Sequence, residues 1–375
     1  MTRPDPADWL AQAAAVREAA GLHRVLRPRS AGAALLDLAS NDYLGLARDA
    51  RVVAAAGRAL TDWGAGSTGS RLVTGSTALH AELERALADL VGAPSALVFS
   101  SGYLANLAAV TALAGPDCLV ISDAGNHASL IDACRLSRSP VVVSPHGDTE
   151  AVAEHLAGRG QNRAMVVVDA INSADGDLLE LAELQSVAAR HQAMLVVDDA
   201  HGVGVRGQGR GAVAEAGIAG APNVVTTMTL SKSLGSQGGA VLGSPAVIAH
   251  LVDTARPFIF DTGLNPAAVG AALAAVRIVA AEPALAARVL ARASQLAGIC
   301  GVRPTGSAIV PVLIGASQDA YDRSMALLDN GIQVGCFRPP AVAAGTARLR
   351  VTARADLTED DLELFGRGLR SVLGR

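Results

Sequence analysis

Residues 223–243 read NVVTTMTLSKSLGSQGGAVLG. Both ends are apolar and β-favouring, Asn223–Met228 and Gly239–Gly243, and between them Lys232 stands among Ser231, Ser233 and glycines. Two short strands closing on one lysine do not describe an ordinary solvated charge. Upstream lie further apolar runs: SALVFS (95–100), CLVIS (118–122), PVVVS (140–144), RAMVVVDA (163–170) and MLVVDDA (194–200). Segments with helical spacing lie between them, for example LLELAELQSVAARHQ at 178–192. Continuous apolar strands alternating with helices predict an α/β fold with a mostly parallel central sheet covered by helices on both faces. Beyond about Arg256 long helices are followed by the short strands AIVPVLIG (308–315) and ARLRVTA (347–353), which predict a smaller C-terminal α/β domain. The expected organisation is an N-terminal segment 1–45, a large domain 46–255 carrying the lysine, and a small domain 256–375.

Composition removes several functions. Hydrophobic residues make up 50% of the 375 and charged residues 18%, below the roughly 25% of an average soluble domain, so much of this chain is buried. Formal charge is −4 from 31 basic and 35 acidic residues, with no long basic run; nucleic acid is not an expected partner. Cys118, Cys134, Cys300 and Cys336 lack C-x-x-C spacing, which argues against a zinc site or a disulfide framework and fits a reducing cytoplasm. The start MTRPDPADWLAQAAAV carries Asp5 and Asp8 and does not read as a signal peptide. The apolar stretch 267–290 is interrupted by Arg277, Glu282 and Pro283, so a packed helix is expected there and no membrane span.

In a parallel sheet, ligands bind beyond the carboxyl ends of the strands. The residues just past each run are polar: Ser101–Gly102 after the first, His127 after the second, Ser173 after 163–170, Asp198 and His201 after 194–197, and Thr229 and Lys232 after 223–228. Singly, each has an ordinary explanation. Ser and Gly are common at helix N-caps, a lone histidine is usually a hydrogen-bonded structural residue, and Asp198 with His201 lacks the further ligands a metal needs, so no metal site is expected. The glycines GVGVRG (202–207) match a dinucleotide pattern, but DDAH separates them from the strand and the acidic residue about twenty positions on is missing. Five polar deliveries to one rim nevertheless point to a ligand.

A lysine amine forms a Schiff base with an aldehyde, and pyridoxal 5′-phosphate (PLP) brings an aldehyde, a phosphate and a pyridine nitrogen that favours an anionic partner. A helix starting at Gly102 would present backbone N–H groups to the phosphate, Asp198 would face the pyridine nitrogen, and a histidine would lie on the ring. PLP is therefore the expected cofactor.

The segments SNDYLGL (40–46), GSTGSRLVTGSTALHAELE (66–84), SSGYLAN (100–106), NHASLIDA (126–133), DDAHGVGVRGQGRG (198–211), TLSKSLG (229–235) and RPPAVAAGTARLRVT (338–352) occur in this order. Together they resemble the α-oxoamine synthases, PLP-dependent transferases of fold type I, the aspartate aminotransferase fold. The resemblance implies that Lys232 is the Schiff-base lysine, Asp198 the pyridine partner and His127 the ring-stacking residue, also close to substrate. It implies Ser173 and His201 around the phenolic oxygen, Gly102 and Tyr103 as phosphate-binding backbone, and Thr229 as a phosphate-side hydroxyl. Asn41 and Arg338 match positions that hold the amino-acid carboxylate. Among His23, Arg24 and Arg27, Arg24 is taken for the acyl substrate. Ser231 and Ser233 replace glycines common in the family, and Ala341 stands where some relatives have threonine. The implied activity is a decarboxylative condensation of L-alanine with pimeloyl-CoA or a pimeloyl-carrier protein in biotin biosynthesis, by a cytoplasmic homodimer with active sites at the subunit interface. A sister synthase taking glycine or serine, an aminotransferase, and a PLP-binding regulator without catalysis are the alternatives.

Overall fold

The computed structural model describes residues 5–374; Met1–Pro4, the first part of the stretch MTRPDPADWLAQAAAV, and Arg375 lie outside the described residues. Eleven strands occur among them: β1 Leu36–Leu38, β2 Ser95–Phe99, β3 Cys118–Asp123, β4 Val141–Ser144, β5 Arg163–Asp169, β6 Met194–Asp198, β7 Val224–Thr229, β8 Gly239–Gly243, β9 Ile309–Gly315, β10 Ile332–Phe337 and β11 Ala347–Thr352. Seven form one sheet in the order β2-β8-β7-β6-β5-β3-β4. β8 runs antiparallel to both its neighbours, and the other pairings are parallel. Six strands therefore point the same way, and their carboxyl ends share one edge.

Alternation along each strand explains why these runs are apolar throughout. Val166 and Val168 of β5 and Leu195 and Val197 of β6 pack into one core with Leu184 and Val187, while Met165, Val167 and Val196 pack into another with Ala105, Val110 and Leu130. A strand buried on both faces has no polar face to show.

The second sheet has the order β1-β10-β11-β9. β1 runs parallel to β10, and β10, β11 and β9 are antiparallel, so the stretch between the helices Asp8–Ala19 and Ala50–Trp63 is stitched onto the C-terminal sheet. Neither β1 nor β10 is expected from the sequence: one has three residues, and IQVGCF mixes Gln and Gly into its pattern. The single helix expected over 267–290 is instead two, Pro266–Ala281 and Ala284–Cys300, bent by 85° at Glu282–Pro283, because proline lacks the N–H that continues a helix and clashes with the preceding turn. No single described helix is long and apolar enough to cross a membrane.

The glycine run 202–211 is a folded cap. Asp199, fully buried, accepts from Ala212 N–H at 3.2 Å and Val213 N–H at 3.1 Å, and the loop winds so tightly around this carboxyl that a Cβ on Gly202 would lie 1.9 Å from its Oδ1. Gly202→Ala is therefore expected to destabilise the protein by about 1–3 kcal/mol through overpacking, as a lower urea midpoint at unchanged slope. An unchanged midpoint would contradict this account of the loop.

Candidate active site

The site opens along the shared edge, where a cavity of about 390 Å³ lies between the two sheets, lined by Asn41, His127, Ser173, His201, Lys232 and Arg350 among others. Lys232 follows β7, and its Nζ lies 2.8 Å from His201 Nε2. His201 Nδ1 in turn lies 2.6 Å from the hydroxyl of Tyr43. Tyr43, itself fully buried, donates to Asn41 Oδ1 at 3.1 Å. Arg350 on β11 closes the chain, donating to Asn41 Oδ1 at 2.9 Å, to the Tyr43 hydroxyl at 3.3 Å and to the Ser173 carbonyl at 2.7 Å.

Asp198 ends β6 behind this row. It accepts from Asn106 Nδ2 at 2.6 Å and from Ala200 N–H at 2.9 Å. Asn106 lies on the helix Gly102–Leu113, donates to Ser129 Oγ at 2.8 Å and accepts from the Thr227 hydroxyl at 2.5 Å. His127 caps the helix Ala128–Leu136, its Nδ1 2.7 Å from Ser129 Oγ, and its N–H donates to Asp169 at 2.9 Å. One hydrogen-bonded layer thus ties the ends of β3, β5, β6 and β7 to two helix starts.

Burial dominates the acid–base properties. Desolvation pulls the Lys232 amine down to about 8, assisted by the positive charge of Arg350 and opposed by Asp198 and Asp169. Burial, then Lys232 and Arg350, push His201 well below its ordinary value, so the imidazole is neutral. Burial also lowers His127, opposed by Asp198. Asp169, buried and beside Asp198, is raised well above the carboxylate range by desolvation and then by that neighbour.

The structure brings Asn41, His127, Ser173, His201 and Lys232 into one lining, with Asp198 one layer behind. Gly102 opens its helix beside Thr229: a Cβ there would meet Thr229 Cβ at 3.0 Å, and one on Gly239 would meet Gly102 Cα at 2.5 Å. The Tyr103 side chain, half exposed, turns away to Asp132 at 2.5 Å, leaving only backbone at the helix start. Arg24 and Arg338 are not part of the lining. Arg338 donates to the carbonyls of Gly21 at 2.5 Å and His23 at 3.2 Å, and Arg24 to that of Pro339 at 3.3 Å. Sequence reading missed Tyr43, Asn106 and Arg350, although all three fall inside the segments SNDYLGL, SSGYLAN and RPPAVAAGTARLRVT.

These residues fit PLP. A tight glycine cradle at a helix start suits a phosphate, Asp198 is a buried carboxyl aimed from a strand end, and the cavity holds an amine of lowered basicity. Lys232 is the only lysine in the sequence. The fold and site thus define a PLP-dependent enzyme of fold type I. The aminotransferase class I and II family pattern matches residues 33–367. The chain is 59% identical over 377 residues to an 8-amino-7-oxononanoate synthase of Mycolicibacterium vanbaalenii, covering 100% of this chain and 99% of that one. It is 58% identical to the enzyme of that name from Mycolicibacterium gilvum, covering 100% of both. Among solved structures, a serine palmitoyltransferase from S. paucimobilis with bound PLP and myriocin matches with a TM-score of 0.89 at 31% identity over 98% of each chain. The chain belongs to the 8-amino-7-oxononanoate synthase branch of the class I and II aminotransferase family.

Only a neutral amine adds to an aldehyde. The rate at which cofactor-free protein takes up PLP is therefore expected to climb with pH through about 8 and level off, far below the 10.5 of an ordinary lysine. Stopped-flow absorbance against pH measures this, and a rate still rising beyond pH ~10 would refute the desolvation argument.

Proposed function

We infer that the chain catalyses the decarboxylative condensation of L-alanine with a pimeloyl thioester to 8-amino-7-oxononanoate, carbon dioxide and the free thiol carrier, a step of biotin biosynthesis. The observation that carries this reading is the full-length 59% identity to an enzyme of that name. Bound PLP supplies an electron sink for the charge left on the α-carbon as its bonds to hydrogen and carboxylate break.

The residues divide the remaining work. Lys232 Nζ would hold the cofactor's aldehyde carbon and, when free, is the atom that would accept the substrate's α-proton. His201 Nε2, at 2.8 Å, steadies that nitrogen in either protonation state. Asp198, oriented by Asn106 and the Ala200 N–H, would pair with the pyridine nitrogen and favour its protonated form. His127, its ring fixed by the Ser129 hydroxyl, would cover the cofactor ring and border the substrate. Ser173 and His201 would lie beside the phenolic oxygen, and the N–H groups of Gly102 and Tyr103 and the Thr229 hydroxyl would hold the phosphate. Asn41 and Arg338 receive the alanine carboxylate, which requires Arg338 to exchange its two backbone carbonyls for that anion. Arg24 serves the acyl substrate, whether carried on CoA or on a carrier protein.

A homodimer fits the same reading. Leu72, Val73 and Phe260 are 53%, 79% and 68% exposed, and the bridge between Ser70 and Thr262 sets them close together. Apolar side chains gathered on one surface favour a partner. Four free cysteines, three of them buried, support a cytoplasmic setting. The division at residues 46 and 256 is kept as a proposal for the domain limits.

Purified protein given L-alanine and pimeloyl-CoA is expected to release thiol faster than with glycine and acetyl-CoA, glycine and succinyl-CoA, or serine and palmitoyl-CoA. A preference for any of those pairs would reassign the substrate. Asp198→Asn should lower turnover about a hundredfold or more, if the contact contributes on the order of 3–5 kcal/mol in the transition state, while Asp199→Asn, whose side chain faces the 202–213 loop, should affect stability far more than turnover. The reverse pattern would mean that the two aspartates had been exchanged.

A further inference from the structure

His146 follows β4, lies outside the cavity lining and has no role in the reaction above. Its Nδ1 donates to Asp123 at 2.6 Å and its Nε2 to Asp177 at 2.7 Å. Both ring nitrogens donate only when both carry protons, and the two carboxylates raise the imidazole to about 10. Asp123 closes β3 and also accepts from Gly125 N–H at 2.7 Å and Gly147 N–H at 2.8 Å. Asp177 belongs to the turn after β5, which is closed by a bridge between Ile171 and Leu178, and its carbonyl accepts from Asn172 N–H at 3.0 Å. Asn172 then reaches back to the Gly125 carbonyl at 3.0 Å. One side chain therefore joins the exits of three strands.

Two of those exits, after β3 and after β5, line the cavity. The first contributes Gly125, Asn126 and His127, and the second Asn172, Ser173 and Ala174. The packing leaves no slack: a Cβ on Gly125 would sit 2.5 Å from His146 Nδ1. An ordinary exposed ion pair does little, but this one has a buried anchor in Asp123, whose side chain is 6% exposed. It also bears on the two segments that carry His127 and Ser173.

We propose that His146 is a positioning residue for the reaction inferred above: hydrogen-bonded at both ring nitrogens, it sets the spacing between the His127 turn and the Ser173 turn, and with it the grip on the cofactor ring and the amino acid. This rests on the functional reading only for the identity of the substrate.

The test uses full-length holoenzyme with His146→Gln, Asp177→Asn and the double variant. It reads the PLP dissociation constant, the visible circular dichroism of bound cofactor, KM for alanine, kcat and Tm. Misplacing groups by a fraction of an ångström weakens binding and orientation, so the PLP constant and KM are expected to rise about tenfold with a smaller change in kcat. The dichroism band should weaken, and the double variant should be no worse than the worse single one because both break one unit. Asp177→Glu should restore part of the dichroism. If His146→Gln fails to fold, Asp177→Asn carries the test, since that carboxylate is 47% exposed. A fall in Tm with PLP affinity, dichroism and KM all unchanged would reduce His146 to a structural residue and overturn the proposal. Altered PLP affinity and dichroism in a protein whose wild type does not condense alanine would sink the substrate assignment and leave the positioning role standing.

Discussion

Lys232 Nζ has a neutral imidazole at 2.8 Å and no carboxylate within ion-pair distance among the described residues. That arrangement governs the site. A lysine paired directly with an aspartate would keep its proton and be a poor nucleophile, whereas one withdrawn from water beside a neutral partner gives the proton up near pH 8. The anion the chemistry needs, Asp198, is close enough to moderate the amine's loss of basicity, yet its oxygens are engaged by Asn106 and the Ala200 N–H. Separating amine from carboxylate by a layer of hydrogen bonds lets each serve a different end of one ligand.

Strand register creates a second constraint. Asp169 on β5 lies directly opposite Asp198 on β6, and both are at least nine-tenths buried. A buried carboxyl with another in register beside it is harder to ionise. Asp169 is raised above the carboxylate range by burial and by its neighbour, with one oxygen accepting the His127 N–H and the other without a partner. Asp169 thus acts as a hydrogen-bonding peg for the turn that carries His127.

Much of this was legible. The β2, β3, β5, β6 and β7 runs are apolar because both faces are covered, and the polar residue after each stands out against that background. Legibility failed where polar residues are buried. All six residues of β11, ARLRVT, are buried, including Arg348 and Arg350; arginines in a strand read as a solvent face. Asn106 sits inside an apolar helix, where an amide looks like a tolerated exception, not the group that orients Asp198. β1 and β10 are too short or too mixed to carry a period-two pattern. His146 has no local signal, because its partners are 23 and 31 residues away in sequence and meet it only when three strand ends align.

Arg350 shows how the second sheet enters the chemistry. It is 3% exposed, stacks at 5.2 Å on Phe337 and spends its N–H groups on the Ser173 carbonyl, Asn41 and Tyr43. It has no acidic partner in ion-pair contact among the described residues. A buried cation held by neutral oxygens and an aromatic face projects its charge onto its surroundings, and it lowers both Lys232 and His201. The side chain that fastens β11 to the cavity wall is therefore also one that tunes the amine. Replacing it with an apolar residue would loosen the junction of the two sheets and return basicity to Lys232 together, so cavity shape and nucleophile strength are coupled through one guanidinium and cannot be varied independently at that position.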